Sequence, residues 1–187
     1  LVRRASLKPT ETVLVLSASS GVGTAAIQIA KNVVGATVIT TTSTDEKARM
    51  AKDLGADETI NYTNEKIEDK VKELTDGRGV DVVVDHVGSD FWPAAFSSLA
   101  PGGRYGICGV TTGYIADLQM GLLFLRNQTI FGVYMGRHDD LREIVTLAGK
   151  GVFQPVVDQT FPLEDVARAH NLMEQRTFFG KLVLSIP

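Results

Sequence analysis

A single cysteine, Cys108, stands among 187 residues, which excludes an internal disulfide framework or a cysteine-rich metal cluster and fits a reducing cytoplasm. Basic residues are not in excess: 19 Lys and Arg against 22 Asp and Glu leave a net charge of -3, with no basic run to hold nucleic acid. The longest apolar stretches are strand-length, far short of the roughly 20 residues that cross a membrane. No secretory signal is visible, and no methionine precedes Leu1-Val2-Arg3-Arg4, an opening expected of a fragment or a processed chain. Internal repeats and low-complexity tracts are absent too. What remains, 44% hydrophobic and 22% charged, suits an ordinary globular chain with enough core to fold.

One stretch organises the rest. Thr12-Val13-Leu14-Val15-Leu16 reads as a buried parallel strand, Ser17 to Gly23 as a tight turn, and Thr24 to Lys31 as a helix with Ala26, Ile27 and Ala30 on one face. In the turn the side chains shrink to hydrogen and hydroxymethyl, as they do where a ligand approaches the main chain. The free N–H groups and dipole of the helix opening make an anion site, so Ser20, Gly21, Val22 and Gly23 are candidates to hold a pyrophosphate. The spacing departs from Gly-x-Gly-x-x-Gly, with Ala18 at the first glycine, Ser20 at the second, the third kept as Gly23, and Gly21 additional. A glycine turn with no ligand is the competing reading.

Strand and helix then alternate, the pattern of a parallel sheet covered on both faces. Strands are expected at 36–43, 58–62, 80–85, 104–110 and 128–135. Helices are expected at about 44–54, capped by Thr44, and at 67–75, 91–99 and 118–126, with Pro101-Gly102-Gly103 stopping the fourth. Together these predict an α/β fold of the Rossmann type, a doubly wound six-stranded parallel sheet with helices on both faces and ligands at the carboxyl ends of the strands. The first 151 residues form this domain; 152–187 form a carboxyl-terminal strand-helix-strand segment.

The end of the second strand bears on cofactor choice. An NAD site carries Asp or Glu there to hold the ribose 2′-OH; here the residues are Thr42 and Ser43. A carboxylate repels a 2′-phosphate, whereas a hydroxyl donates to it and Lys47, one helical turn on, supplies charge. The Tyr62 hydroxyl, at the end of the third strand, reaches the same region. The expectation is NADP(H) in preference to NAD(H), against a bland alternative in which Lys47 is solvated and Tyr62 only packs.

Gly21 to Lys31, Ala51 to Asp57 with Ile60-Asn61-Tyr62, Gly79 to Asp85, and Pro101 to Arg104 resemble the cofactor-binding half of medium-chain dehydrogenases/reductases, nearest the quinone-oxidoreductase and zinc-type alcohol-dehydrogenase-like branches. The resemblance covers essentially the whole chain. It implies that Ser20 to Gly23 hold the pyrophosphate and that Ser43, Lys47 and Tyr62 hold the 2′-phosphate. It also implies that Gly88 lies along the adenosine ribose, and that Cys108, Gly109, Val110, Phe131, Gly132 and Val133 approach the nicotinamide end. The family's catalytic domain precedes this half, so no catalytic residue or zinc ligand carries over; zinc belongs at most to a longer parent. Pro155 to Val166, Ala167 to His170 and Phe179 to Leu184 resemble the segment that returns to that domain, and this tail is expected to be the least well anchored part of the chain.

Other candidates read as structural. Adjacent residues on a strand face opposite ways, which argues against an Asp85–His86 relay. His138 and His170 lack metal-ligand spacing and are expected at the surface, Cys108 as a small buried hydrophobe, and Trp92 at the start of a helix. The strand at 128–135, apolar and free of proline, is expected at the sheet edge and to pair two copies into a homodimer. The chain thus reads as the NADP(H)-binding part of an alcohol dehydrogenase or quinone/enone reductase, inactive alone. The alternatives are a non-catalytic NADPH-binding or redox-sensing module and the enoyl-reductase module of a larger synthase.

Overall fold

A computed structural model describes residues 1–187. Strands β1 (Thr12–Val15), β2 (Thr37–Thr42), β3 (Glu58–Asn61), β4 (Val80–Asp85), β5 (Leu99–Ile107) and β6 (Thr129–Gly132) form one sheet of order β3-β2-β1-β4-β5-β6, all pairings parallel. This is the doubly wound Rossmann order, which reverses direction beside β1 and opens a crevice at the strand carboxyl ends. The connections carry α1 (Gly21–Gln28), α2 (Asp45–Asp53), α3 (Ile67–Leu74), α4 (Trp92–Ser97) and α5 (Met120–Leu125).

β1 and β4 lie between neighbours and are buried along nearly their whole length, as continuous valine and leucine runs require. Their side chains feed two cores, one on each sheet face. Val13, Val15, Val38 and Val82 meet Ala26, Ile27 and Ala30 on one; Leu14, Ile39, Val83 and Tyr105 meet Val71, Trp92 and Phe96 on the other. Trp92 opens α4 as expected, stacks on Phe96 (4.8 Å, 13°) and donates from Nε1 to the Asp117 carbonyl at 2.8 Å.

Three elements differ from expectation. The first helix runs past Lys31 as a π-helical segment, Ile29–Val34, closed by Gly35 at φ +83°. β5 begins at Leu99 instead of Arg104, so Pro101-Gly102-Gly103 lies within a strand that pairs Leu99 with Val80 across an irregularity. A further helix, α6 (His138–Gly149), follows β6 where none was expected, and none of its residues is buried.

The tail forms β7 (Val157–Pro162), α7 (Val166–Gln175) and β8 (Lys181–Ser185), with β7 and β8 paired parallel as a separate two-stranded sheet. It is tied to the first helix and the glycine turn at several points. Gln28 exchanges two hydrogen bonds with the Gln154 backbone (2.9 Å each), Gly180 N–H donates to the Ser19 carbonyl (2.8 Å), and Phe179 is buried within the first core.

Candidate functional site

The turn between β1 and α1 is fixed by Ser20. Its Oγ accepts from the Gly23 N–H (2.8 Å), caps the helix and donates to the Ser17 carbonyl (3.0 Å). His86 supports it from 66 residues away: Nε2 lies 2.8 Å from Ser20 Oγ and 3.0 Å from the Leu16 carbonyl. A carbonyl only accepts, so Nε2 carries the proton and shares it between the two oxygens. His86 therefore joins no relay with Asp85; it is a brace beneath the turn. With Ser20 Oγ fully engaged, the groups left for a ligand are the Gly21 and Val22 N–H, to which no backbone or side-chain acceptor is assigned.

Glycine is needed at both kept positions, for different reasons. A Cβ on Gly23 would run into the Ser17 and Ala18 backbone, whereas one on Gly21 would meet the aliphatic end and ammonium of Lys181. Lys181, a tail residue by sequence, thus lies directly over the turn as a cation at the opening of α1. Nothing in local spacing signals it, because 160 residues separate the two and the tail's docking brings them together.

At the ends of β2 and β3 the hydroxyls fall into two groups. Thr40 Oγ1 donates to the Val15 carbonyl (2.7 Å) and Thr41 Oγ1 accepts from Ser17 N–H (2.8 Å). Thr42 Oγ1 is buried with no partner, and the hydroxyls of Ser43 and Tyr62 make no hydrogen bond within the chain. An orphaned buried hydroxyl is costly, and this one stands at the carboxyl end of β2. Tyr62 also packs, its ring edge-on to Phe91 at 5.0 Å.

Lys47 is not the solvated residue of the bland alternative. It is 8% exposed, and its Nζ donates to the Arg176 carbonyl. Burial lowers its pKa, the Asp158 carboxylate opposes that shift, and the Arg176 charge adds to it. Arg176, in the left-handed region at φ +55° where α7 ends, is a second cation at this corner that the sequence reading missed.

The loops after β4 and β5 close on each other through backbone. Asp85 is buried; its Oδ1 accepts from Val87 and Gly88 N–H and its Oδ2 from the Tyr105 hydroxyl (2.8 Å), which pushes the Tyr105 pKa up together with burial, the larger cause. Gly88, at φ +99°, passes within contact of Val110 and Gly113, and Gly109 lies against the His86 backbone. Cys108 is exposed, contrary to expectation, with Sγ 3.4 Å from the Asp85 carbonyl. Desolvation, and after it the Asp85 charge, raises its pKa, so the thiol is poorly suited to act as a nucleophile.

A cleft of about 860 Å³ gathers Gly21, Val22, Cys108, Phe131, Gly132 and Val133, so the turn and the ends of β5 and β6 face one space. Thr42, Ser43 and Tyr62, at the ends of β2 and β3, and Lys47, in the first turn of α2, lie outside it. His138 and His170 are exposed, as expected. No three His, Cys, Asp or Glu side chains come together to hold a metal ion, so the residues present do not fit zinc. No helix is long and apolar enough to cross a membrane.

A family model described as zinc-binding dehydrogenase matches residues 21–150. Among curated relatives, quinone oxidoreductase-like protein 2 of Bos taurus is 35% identical over 195 residues, covering 100% of this chain and 56% of its own length. A crystal structure of an NAD-dependent alcohol dehydrogenase is 42% identical with a TM-score of 0.92, covering 100% of this chain and 54% of that one. The Escherichia coli quinone oxidoreductase complexed with NADPH is 33% identical with a TM-score of 0.86, covering 100% and 60%. The chain thus spans little more than half the length of the proteins it matches.

Proposed function

The chain belongs to the zinc-binding dehydrogenase family, and from that premise we propose that it is the dinucleotide-binding part of an oxidoreductase that takes NADP(H) in preference to NAD(H). The observation that carries the reading is the set of hydroxyls at Thr42, Ser43 and Tyr62 that no group in the chain satisfies. These hydroxyls stand at the ends of β2 and β3, the region where an NAD site carries a carboxylate, and what supports a charged substituent there is Lys47 one helical turn on, with the Arg176 charge acting on it.

When bound, the cofactor supplies the hydride chemistry. The chain's residues bind and orient. Gly21 and Val22 N–H donate to a pyrophosphate, Lys181 neutralises it, and His86 holds Ser20 so that the turn is formed in advance. Thr42, Ser43 and Tyr62 donate to the ribose and its 2′-phosphate, with Lys47 and Arg176 countering the charge. The ends of β5 and β6 wall the cleft for the nicotinamide.

The substrates are alcohols and carbonyls, or quinones and enones. The groups that polarise them are expected from an amino-terminal catalytic domain, in keeping with relatives nearly twice as long. The relative of NAD-dependent type favours a second reading, NAD(H); the absence of a carboxylate at Thr42-Ser43 weighs against it. Parallel titrations with NADPH and NADH decide. NADPH should bind more tightly, and Lys47→Ala should weaken NADPH alone by roughly 1–3 kcal/mol, the range for a charge-assisted hydrogen bond. Equal affinities, or tighter NADH, would contradict the assignment.

A further inference from the structure

Asp85 closes β4 at 1% exposure, yet it pairs with no lysine, arginine or histidine. Dipoles alone hold its carboxylate: Oδ1 accepts from Val87 N–H (2.7 Å) and Gly88 N–H (3.0 Å), and Oδ2 from the Tyr105 hydroxyl (2.8 Å). Tyr105 is fully buried and its pKa is pushed up, by burial first and the Asp85 charge next, so it stays a neutral donor. Burying a carboxylate in this way is costly, and three donors solvate the charge without cancelling it. Its field therefore reaches neighbouring groups through a medium of low dielectric.

Two neighbours register that field. Asp85 lies opposite Ile107 of β5, and its carbonyl accepts from Cys108 N–H at 2.8 Å; Cys108 in turn lines the 860 Å³ cleft. Desolvation and then the Asp85 charge raise the Cys108 pKa, and the same charge opposes the desolvation that lowers the His86 pKa. Asp85 itself does not line the cleft, and its partner Tyr105 belongs to the core on the sheet face away from α1. What crosses the sheet is charge.

We infer that Asp85 biases the nucleotide site toward the oxidised dinucleotide, whose nicotinamide ring carries a positive charge that the reduced ring lacks. The inference rests on the proposed cofactor, with its nicotinamide at the ends of β5 and β6. NADP+ and NADPH share pyrophosphate, riboses and 2′-phosphate, so contacts to those groups cancel in the ratio of the two affinities. By linkage, that ratio sets the reduction potential of the bound couple. Asp85 is thus a positioning residue that acts on the ring charge without touching it.

Calorimetric titrations of the chain with NADP+ and with NADPH read the ratio. Asp85→Asn keeps an acceptor for the Val87 and Gly88 N–H groups and removes the charge. It should shift the ratio toward NADPH by about fivefold, the order expected of one unit charge in a partly screened interior. Tyr105→Phe keeps the charge and strips one of its donors, so it should shift the ratio the opposite way while lowering the thermal midpoint. A purely structural role would weaken both forms equally. An unchanged ratio in either folded variant, or a shift toward NADPH in Tyr105→Phe, would overturn the inference. A wild-type chain that binds neither form would instead overturn the cofactor assignment, and the inference with it.

Discussion

His86 shares one proton between the Leu16 carbonyl and Ser20 Oγ, and burial holds its pKa below the ordinary value of 6.5. The unfolded chain therefore takes up the proton first as pH falls. Its stabilising effect is complete above pH 6.5 and is lost as pH drops through the lower folded value. Thermal melts between pH 7.5 and 5.5 should show a larger fall in midpoint for the wild type than for His86→Gln, about the usual span of histidine titration; parallel falls would contradict the brace. The two turn glycines should separate equally clearly. Gly23→Ala drives a methyl into backbone and should cost about 1–3 kcal/mol of stability or more. Gly21→Ala displaces only the flexible end of Lys181, so it should spare the fold and weaken dinucleotide binding. At this scale the position of the turn after β1, and of Thr42, Ser43 and Tyr62 at the strand ends, was legible from local spacing. His86 on Ser20, Arg176 beside Lys47 and Lys181 over Gly21 were not, because contacts across 66, 129 and 160 positions leave no local pattern.

Among elements, the six strands and the first five helices were readable from apolar periodicity and turn signals, with side-chain caps adding to it only at α1 and α2. α2 shows this plainly, with Thr44 accepting from Lys47 N–H and Asp45 and Glu46 in its first turn. α6 was missed although Leu141, Ile144, Val145 and Ala148 recur at helical spacing. Its N-cap is Arg137, no Ser, Thr, Asp or Asn marks the start, and it buries nothing. Pro101-Gly102-Gly103 misled in the other direction, since β5 passes through a turn-like sequence to reach Val80. The tail, expected to be the least well anchored part of the chain, is held to the first helix and the turn at Gln154, Phe179 and Gly180. Phe179 is 3% exposed among Ala26 and Ala30, and it anchors the strand that carries Lys181. Phe179→Ala should cost about 3–5 kcal/mol in urea unfolding and should lower dinucleotide affinity as well. A variant that loses stability but keeps full affinity would separate the tail from the site.

For the molecule as a whole, the sheet order places β6 at an edge with no strand on its outer side. An apolar edge of this kind templates pairing. We expect a homodimer joined along β6, and sedimentation should give twice the 20.2 kDa chain mass; a monomer at micromolar concentration, or a dimer unaffected by Ile130→Lys, would contradict that pairing. α6 lines the 860 Å³ cleft through Ile144 and Leu147 and leaves Leu141 and Val145 exposed. The most direct test of the central claim is calorimetric titration of the purified chain with NADPH, in the wild type and in Gly21→Ala. Saturable one-to-one heat that weakens in the variant is the predicted result, and absence of heat in the folded wild-type chain would contradict the account.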